Sequence, residues 1–185
     1  SDYREKDTLT ALKETEEFLC EAKKFSLEKP ILTPRFTPSV SKELREGLGK
    51  LREKYKVRVQ SHLDENPSEV KWVKELEPEC EDYSSTYDRF HRRGRGYPCI
   101  RAHCIYNTEK EIGRLKENDV YVAHCPESNL NVASGIAPIR KYLEMGIKVG
   151  LGSDVAGGSS LSLLKAGALA RQVSKRYYRY IDSSF

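Results

Sequence analysis

The chain has 185 residues, 38% hydrophobic and 32% charged, with a net charge of +4. That is long enough for one domain with a packed core, and the composition is not that of a disordered chain. No apolar run is long enough to span a bilayer, no secretory signal stands at the start, and the mild charge does not demand a nucleic-acid partner. The chain opens on Ser1 rather than Met, which leaves room for a missing upstream piece. The five cysteines, Cys20, Cys80, Cys99, Cys104 and Cys125, are odd in number and irregular in spacing. They read as reduced thiols of a cytoplasmic protein.

Residues 7–25 read as an amphipathic helix, with Leu9, Leu12, Phe18 and Leu19 as its apolar members and Asp7 as its cap. ILTPRF (31–36) reads as a short strand, and 41–55 as a helix capped by Ser39 or Ser41. VRVQSH (57–62) is a second strand, and a helix over 67–76 opens with Pro67. CIRAHC (99–104) is a third strand. It precedes a helix over 108–118, in which Thr108 and Glu111 have capping-box spacing. VYVAHC (120–125) is a fourth strand, and a helix over 136–145 stops at Gly146. IKVGLGSD (147–154) is a fifth strand, and 160–178 form a closing helix.

Five strands, each followed by a helix, imply an α/β fold with a parallel sheet. A doubly wound sheet and a (β/α)₈ barrel both suit the pattern. A whole barrel takes about 250 residues, so five strands in 185 residues suit part of a barrel better.

Each strand ends in a chemically able group: Arg35, His62, His103, His124 and Asp154. Catalytic groups of parallel α/β folds lie at the carboxyl ends of strands. Three of the four histidines sit there, so a metal or catalytic site is expected. Singly, each residue has a plainer reading. Glu65 suits a helix start, Arg35 a solvated surface, and Phe36 a core. His124 is expected to support the site rather than act in it. Arg101 lies inside a strand, where its charge is costly unless paired. The basic run RFHRRGRGYPCIR (89–101), in which His91 reads as solvated, is the only feature able to contact phosphates. One short run is thin support, and no nucleic-acid partner is expected. The glycines of GLGSDVAGGSS (150–160) lack the lysine of a phosphate loop. No Cys-x-x-Cys occurs, which disfavours the cytidine-deaminase type of zinc site.

QSHLDE (60–65), RAHC (101–104), AHCPESN (123–129) and GLGSDVAGG (150–158) resemble, in order, motifs of the amidohydrolase superfamily. TPRF (33–36) resembles its guanine-deaminating branch in particular. The resemblance implies a (β/α)₈ barrel with a metal at the strand carboxyl ends. This chain looks like strands four to eight of it, a single incomplete catalytic domain over 1–185. The His-x-His pair that supplies two metal ligands from the family's first strand has no counterpart here, and neither has the small β domain. A lone chain of this kind exposes two strand edges, so poor solubility, weak metal binding and little activity are expected.

The resemblance also assigns roles. His62 and Asp154 match metal ligands that border the substrate, and His103 a ligand or a partner of the reacting water. Asp154 takes a proton from water, and Glu65 is the proton shuttle. Arg35 and Phe36 hold the purine. The metal is zinc, with iron left open, and the intact protein is expected to be a homodimer. The implied reaction is hydrolysis of guanine to xanthine and ammonia. The physical chemistry is consistent with this: zinc acidifies a bound water to a pKa of about 7, and a nearby carboxyl can carry protons to ring nitrogen and leaving amine. An arginine can donate two parallel hydrogen bonds to a carbonyl edge, and a phenylalanine can stack on a flat ring. Two other readings stay open: an amidohydrolase acting on a different aminated heterocycle, and a non-catalytic binding module.

Overall fold

The structure is a computed structural model that describes residues 6–88 and 98–177. His91 and the basic run over 89–97 lie outside the described residues. Five strands form one sheet in chain order: β1 (Ile31–Leu32), β2 (Arg58–Leu63), β3 (Ile100–His103), β4 (Tyr121–His124) and β5 (Val149–Leu151). Every neighbouring pair is parallel. A doubly wound sheet reverses its strand order at a switch point. This sheet never does, so it is one arc of a barrel wall.

The helices are α1 (Thr8–Ala22), α2 (Lys42–Tyr55), α3 (Pro67–Leu76), α4 (Glu109–Glu117), α5 (Pro126–Asn131), α6 (Ile139–Glu144) and α7 (Leu163–Tyr177). Their starts follow the capping chemistry of the sequence. Asp7 accepts from the Thr10 amide at 2.9 Å, Ser41 from the Leu44 amide at 3.1 Å, and Asn66 from the Glu69 amide at 2.9 Å. Thr108 and Glu111 close a reciprocal capping box. Each such bond satisfies an amide that the first helical turn leaves without a partner. Gly146, at φ +76°, ends the helix before β5.

Some elements differ from the sequence reading. β1 pairs regularly only over Ile31–Leu32. Pro34 has no amide hydrogen for a ladder, yet the Arg35 carbonyl rejoins β2 by accepting from the His62 amide at 2.9 Å. The helix expected over 136–145 spans only 139–144, and a short helix, α5, precedes it with Pro126 in its first turn. The closing helix begins at Leu163 rather than 160. On α1, Ala11 and Leu19 are buried, whereas Leu9 and Phe18 face solvent. Exposed leucines also mark the entry to α7, at Leu161, Leu163 and Leu164. α1 packs against α2, and α7 against β5 and α5, and these exposed apolar side chains lie on or next to the two terminal helices.

The core lies between the sheet and its helices. Val59 and Leu63 of β2, Val122 of β4, Val73, Ile112, Leu115 and Tyr142 form one buried cluster. Arg101 is buried within this layer. Its guanidinium lies 4.4 Å from the centre of the Tyr87 ring, and Nη1 donates to the Ile100 carbonyl at 3.0 Å. Cation–π contact and hydrogen bonding offset its desolvation.

A second buried cation, Arg45, pairs with Glu77, both side chains under 5% exposed. Removing one partner of a buried pair leaves an uncompensated charge, whereas the Lys42–Glu79 pair beside it is exposed. Glu77→Ala should cost about 3–5 kcal/mol, and Glu79→Ala less than about 1 kcal/mol. Urea unfolding midpoints measure both, and equal losses would refute the distinction.

Candidate metal centre and substrate cleft

His62, Glu65 and His103 come together at the carboxyl ends of β2 and β3. Among the described residues, one ligand atom from each lies within 4.8 Å of the others. The ring centroids of His62 and His103 are 4.9 Å apart, and His103 Nε2 is 3.7 Å from Glu65 Oε2.

Backbone geometry makes this meeting possible. The parallel register sets Leu63 opposite His103, and His62 opposite Ala102. Side chains alternate faces along a strand, so regular pleating would put His103 on the Leu63 face, away from His62. His103 has φ +70° and Cys104 φ +49°, which breaks the alternation. Asp64 (+50°) and Asp154 (+43°) also take the left-handed conformation after their strands. For a residue with a Cβ this costs of order 1–3 kcal/mol and persists only where the surroundings hold it. Here the Cys104 amide donates to the Leu63 carbonyl at 2.9 Å, and the Ile105 and Tyr106 amides donate to the Asp64 carbonyl at 3.0 and 3.1 Å. On the His62 face the register neighbours across β3, β4 and β5 are Ala102, Ala123 and Gly150. These small residues leave room beside the imidazoles.

The donor set fits a divalent metal. His62 Nδ1 is 2.7 Å from the Arg35 carbonyl oxygen. A carbonyl only accepts, so Nδ1 carries the proton and Nε2 keeps its lone pair. His103 Nδ1 is 2.7 Å from Asn129 Oδ1, and the same logic leaves its Nε2 free toward Glu65. Burial, and then the neighbouring His103, hold His62 below its ordinary pKa, which favours the neutral form that binds a metal. Asp154 stands apart. It is exposed and lies outside the 4.8 Å group, though its charge still acts on His62.

The cluster borders an open cleft of about 490 Å³, lined by Arg35, Phe36, His62, Glu65, Glu69 and Trp72 among others. Arg35 is exposed, with its guanidinium 5.7 Å from the centre of the Phe36 ring. Trp72 meets Phe36 edge-on at 6.2 Å. Sequence reasoning placed Arg35, Phe36, His62, Glu65 and His103 at the site and passed over Trp72. The available signal was a large aromatic on α3 that the hydrophobic face of the helix does not need.

Asp64, next to Glu65, is buried with its pKa pushed up to about 9 by desolvation and then by Glu111. It is therefore uncharged at neutral pH and accepts from Asn107 Nδ2. His124 is also buried, and its Nδ1 has no hydrogen-bond partner among the described residues.

The model of the amidohydrolase family matches residues 1–184. The chain belongs to the amidohydrolase family. Guanine deaminase of Dictyostelium discoideum is 39% identical over 166 residues, which is 89% of this chain and 36% of that protein. Guanine deaminase of Homo sapiens is 39% identical over 175 residues, 94% of this chain and 38% of that one. The crystal structure of guanine deaminase from C. acetobutylicum with bound guanine in the active site superimposes with a TM-score of 0.92 at 46% identity, covering 97% of this chain and 43% of that chain. The chain thus spans well under half the length of these amidohydrolase relatives, and its sheet is the corresponding part of their barrel. Among the described residues no helix is long and apolar enough to cross a membrane.

His124 gives a pH prediction. Burial, and then the neighbouring His103, lower its pKa from 6.5 to about 4. The folded state binds this proton less well than the unfolded state. The contribution is therefore complete above about pH 6.5 and is lost as pH falls toward about 4. Unfolding free energy measured across that window should fall more steeply for the wild type than for His124→Gln. Parallel curves would refute the assignment.

Proposed function

We propose that this chain is the substrate-side part of a guanine deaminase, which converts guanine and water to xanthine and ammonia. The observation that carries the reading is the union of the Arg35–Phe36 cleft with the His62, Glu65 and His103 cluster. The likeness to a relative whose structure holds guanine supports it.

In this reading the purine lies in the cleft against Phe36, with Trp72 as the second aromatic wall. Arg35 donates parallel hydrogen bonds to the carbonyl edge. That orientation turns the ring carbon bearing the amino group toward the imidazoles. Zinc held by His62, His103 and Asp154 would supply an acidified water. Addition of water to the ring carbon would be followed by loss of the amino group, and the two protons of the water have separate ends. Glu65 would pass one to the ring nitrogen, where it stays, and Asp154 would take the other and return it, through Glu65, to the departing amine, since ammonia leaves only when protonated. No disulfide joins cysteines among the described residues, which supports a reducing compartment.

The test is metal content with guanine turnover, on the chain joined to a first-strand segment carrying a His-x-His pair. About one zinc per chain and release of xanthine are expected, both lost in His62→Ala and Asp154→Asn. Arg35→Ala should raise KM for guanine by about 10- to 100-fold. Guanine should also quench the emission of Trp72, the only tryptophan. Faster turnover of adenine, cytosine or melamine would move the substrate to another heterocycle. A folded sample with neither metal nor turnover would favour a non-catalytic module.

A further inference from the structure

The turn that follows β4 touches the two groups that meet at the centre of the cluster. Asn129, within α5, is 1% exposed, and its Oδ1 accepts from His103 Nδ1 at 2.7 Å. Ser134, five residues on and 2% exposed, donates from Oγ to Glu65 Oε1 at 2.9 Å. The turn is held so that these two contacts are fixed together. The Ser134 amide donates to the Asn129 carbonyl at 2.8 Å. The Ser134 carbonyl accepts from the Tyr106 hydroxyl at 2.6 Å. Gly135 has φ +137°, and a Cβ there would lie 2.7 Å from the Tyr106 hydroxyl oxygen, so any larger residue at the close of the turn is strained and displaces that hydroxyl. From the same helix, Asn131 Nδ2 donates to the Gly157 carbonyl at 2.9 Å, in the loop that carries Asp154.

We infer that Asn129 and Ser134 are positioning residues: Asn129 fixes the tautomer and direction of the His103 ring, and Ser134 fixes the Glu65 carboxylate that faces it. The chemical need is clear. His103 can present a lone pair toward Glu65 and His62 only from Nε2, so its proton must stay on Nδ1. Asn129 Oδ1 is the acceptor that keeps it there. Glu65 has one oxygen 3.7 Å from His103 Nε2 and the other on Ser134, so the serine sets which oxygen faces the imidazole. Groups that orient a metal-binding histidine through its other ring nitrogen commonly affect metal affinity by 10- to 100-fold. The inference rests on the metal-site reading above, but the tautomer can be read without metal or substrate.

The experiment uses the full 185-residue chain, metal-free and ¹⁵N-labelled at histidine. Spectra are taken at about pH 8, above the ordinary imidazole pKa, and His103→Gln assigns the resonances. The wild type should show His103 protonated at Nδ1. Asn129→Asp keeps the acceptor and should keep that tautomer. Asn129→Leu, of similar size and unable to accept, should lose it. In zinc titrations of the same samples, Asn129→Leu should bind about 10- to 100-fold more weakly than Asn129→Asp. A wild-type ring protonated at Nε2, or an unchanged tautomer in Asn129→Leu, overturns the role of Asn129. For Ser134 the readout is kinetic, in the protein supplied with its first-strand ligands. Ser134→Ala should lower kcat for guanine by about 10- to 100-fold with KM little changed, and Ser134→Thr should restore it. Unchanged kcat in Ser134→Ala, or no restoration by threonine, overturns the role of Ser134. The expected tautomers with no guanine turnover in the wild type would sink the deaminase reading and leave the positioning of His103 standing.

Discussion

In a regular parallel strand His103 would share a face with Leu63 and point away from His62. Everything chemical in this molecule depends on that alternation failing once, where His103 and Cys104 take left-handed backbone conformations. The conformation is unfavourable for any side chain with a Cβ, so it must be held from outside. Asn129 holds the His103 ring, and the Leu63 carbonyl holds the next amide. The Asp64 carbonyl then receives two further amides from the same loop. The strand ends of β2 and β3 are therefore one locked unit. A site on a rigid scaffold with strained connections is what preorganised chemistry requires.

Burial acts on the two kinds of titratable group in opposite senses, and both outcomes suit the site. It keeps His62 and His124 neutral, and it keeps Asp64 protonated. The half-buried Glu65 stands at the cleft, and Asp154 is exposed apart from it. Desolvation penalises the charged form of a group that has no compensating partner, whereas the buried Arg45 keeps its charge because Glu77 pairs with it.

Much of this was legible in the sequence. The order of strands and helices, the caps at Asp7 and Thr108, the stop at Gly146 and the polar residues at strand ends are local signals, and local signals survive folding. The pairing of Arg35 with Phe36 was legible by resemblance. What the sequence did not announce depends on contacts between distant segments. A left-handed His103 carries no glycine to mark it. Helix α5 has six residues, too few for a periodicity to appear. The exposure of Leu9 and Phe18 depends on what lies against α1 and not on the spacing of its apolar residues. Asn129 and Ser134 are a common type of residue in a turn, and only the fold brings them to His103 and Glu65.

The cleft and the cluster are built by different means. The imidazoles and Glu65 are held by hydrogen bonds from backbone and buried side chains. Arg35, Phe36 and Trp72 are held by ring contacts at 5.7 to 6.4 Å and are open to solvent in part. Such contacts are broad in geometry and weak, so changing one reshapes the cleft without unseating His62, Glu65 or His103. The firmest link between the two parts is the Arg35 carbonyl, which binds both the amide and Nδ1 of His62. Because that link uses the main chain, the side chain at position 35 can change while His62 keeps its partner.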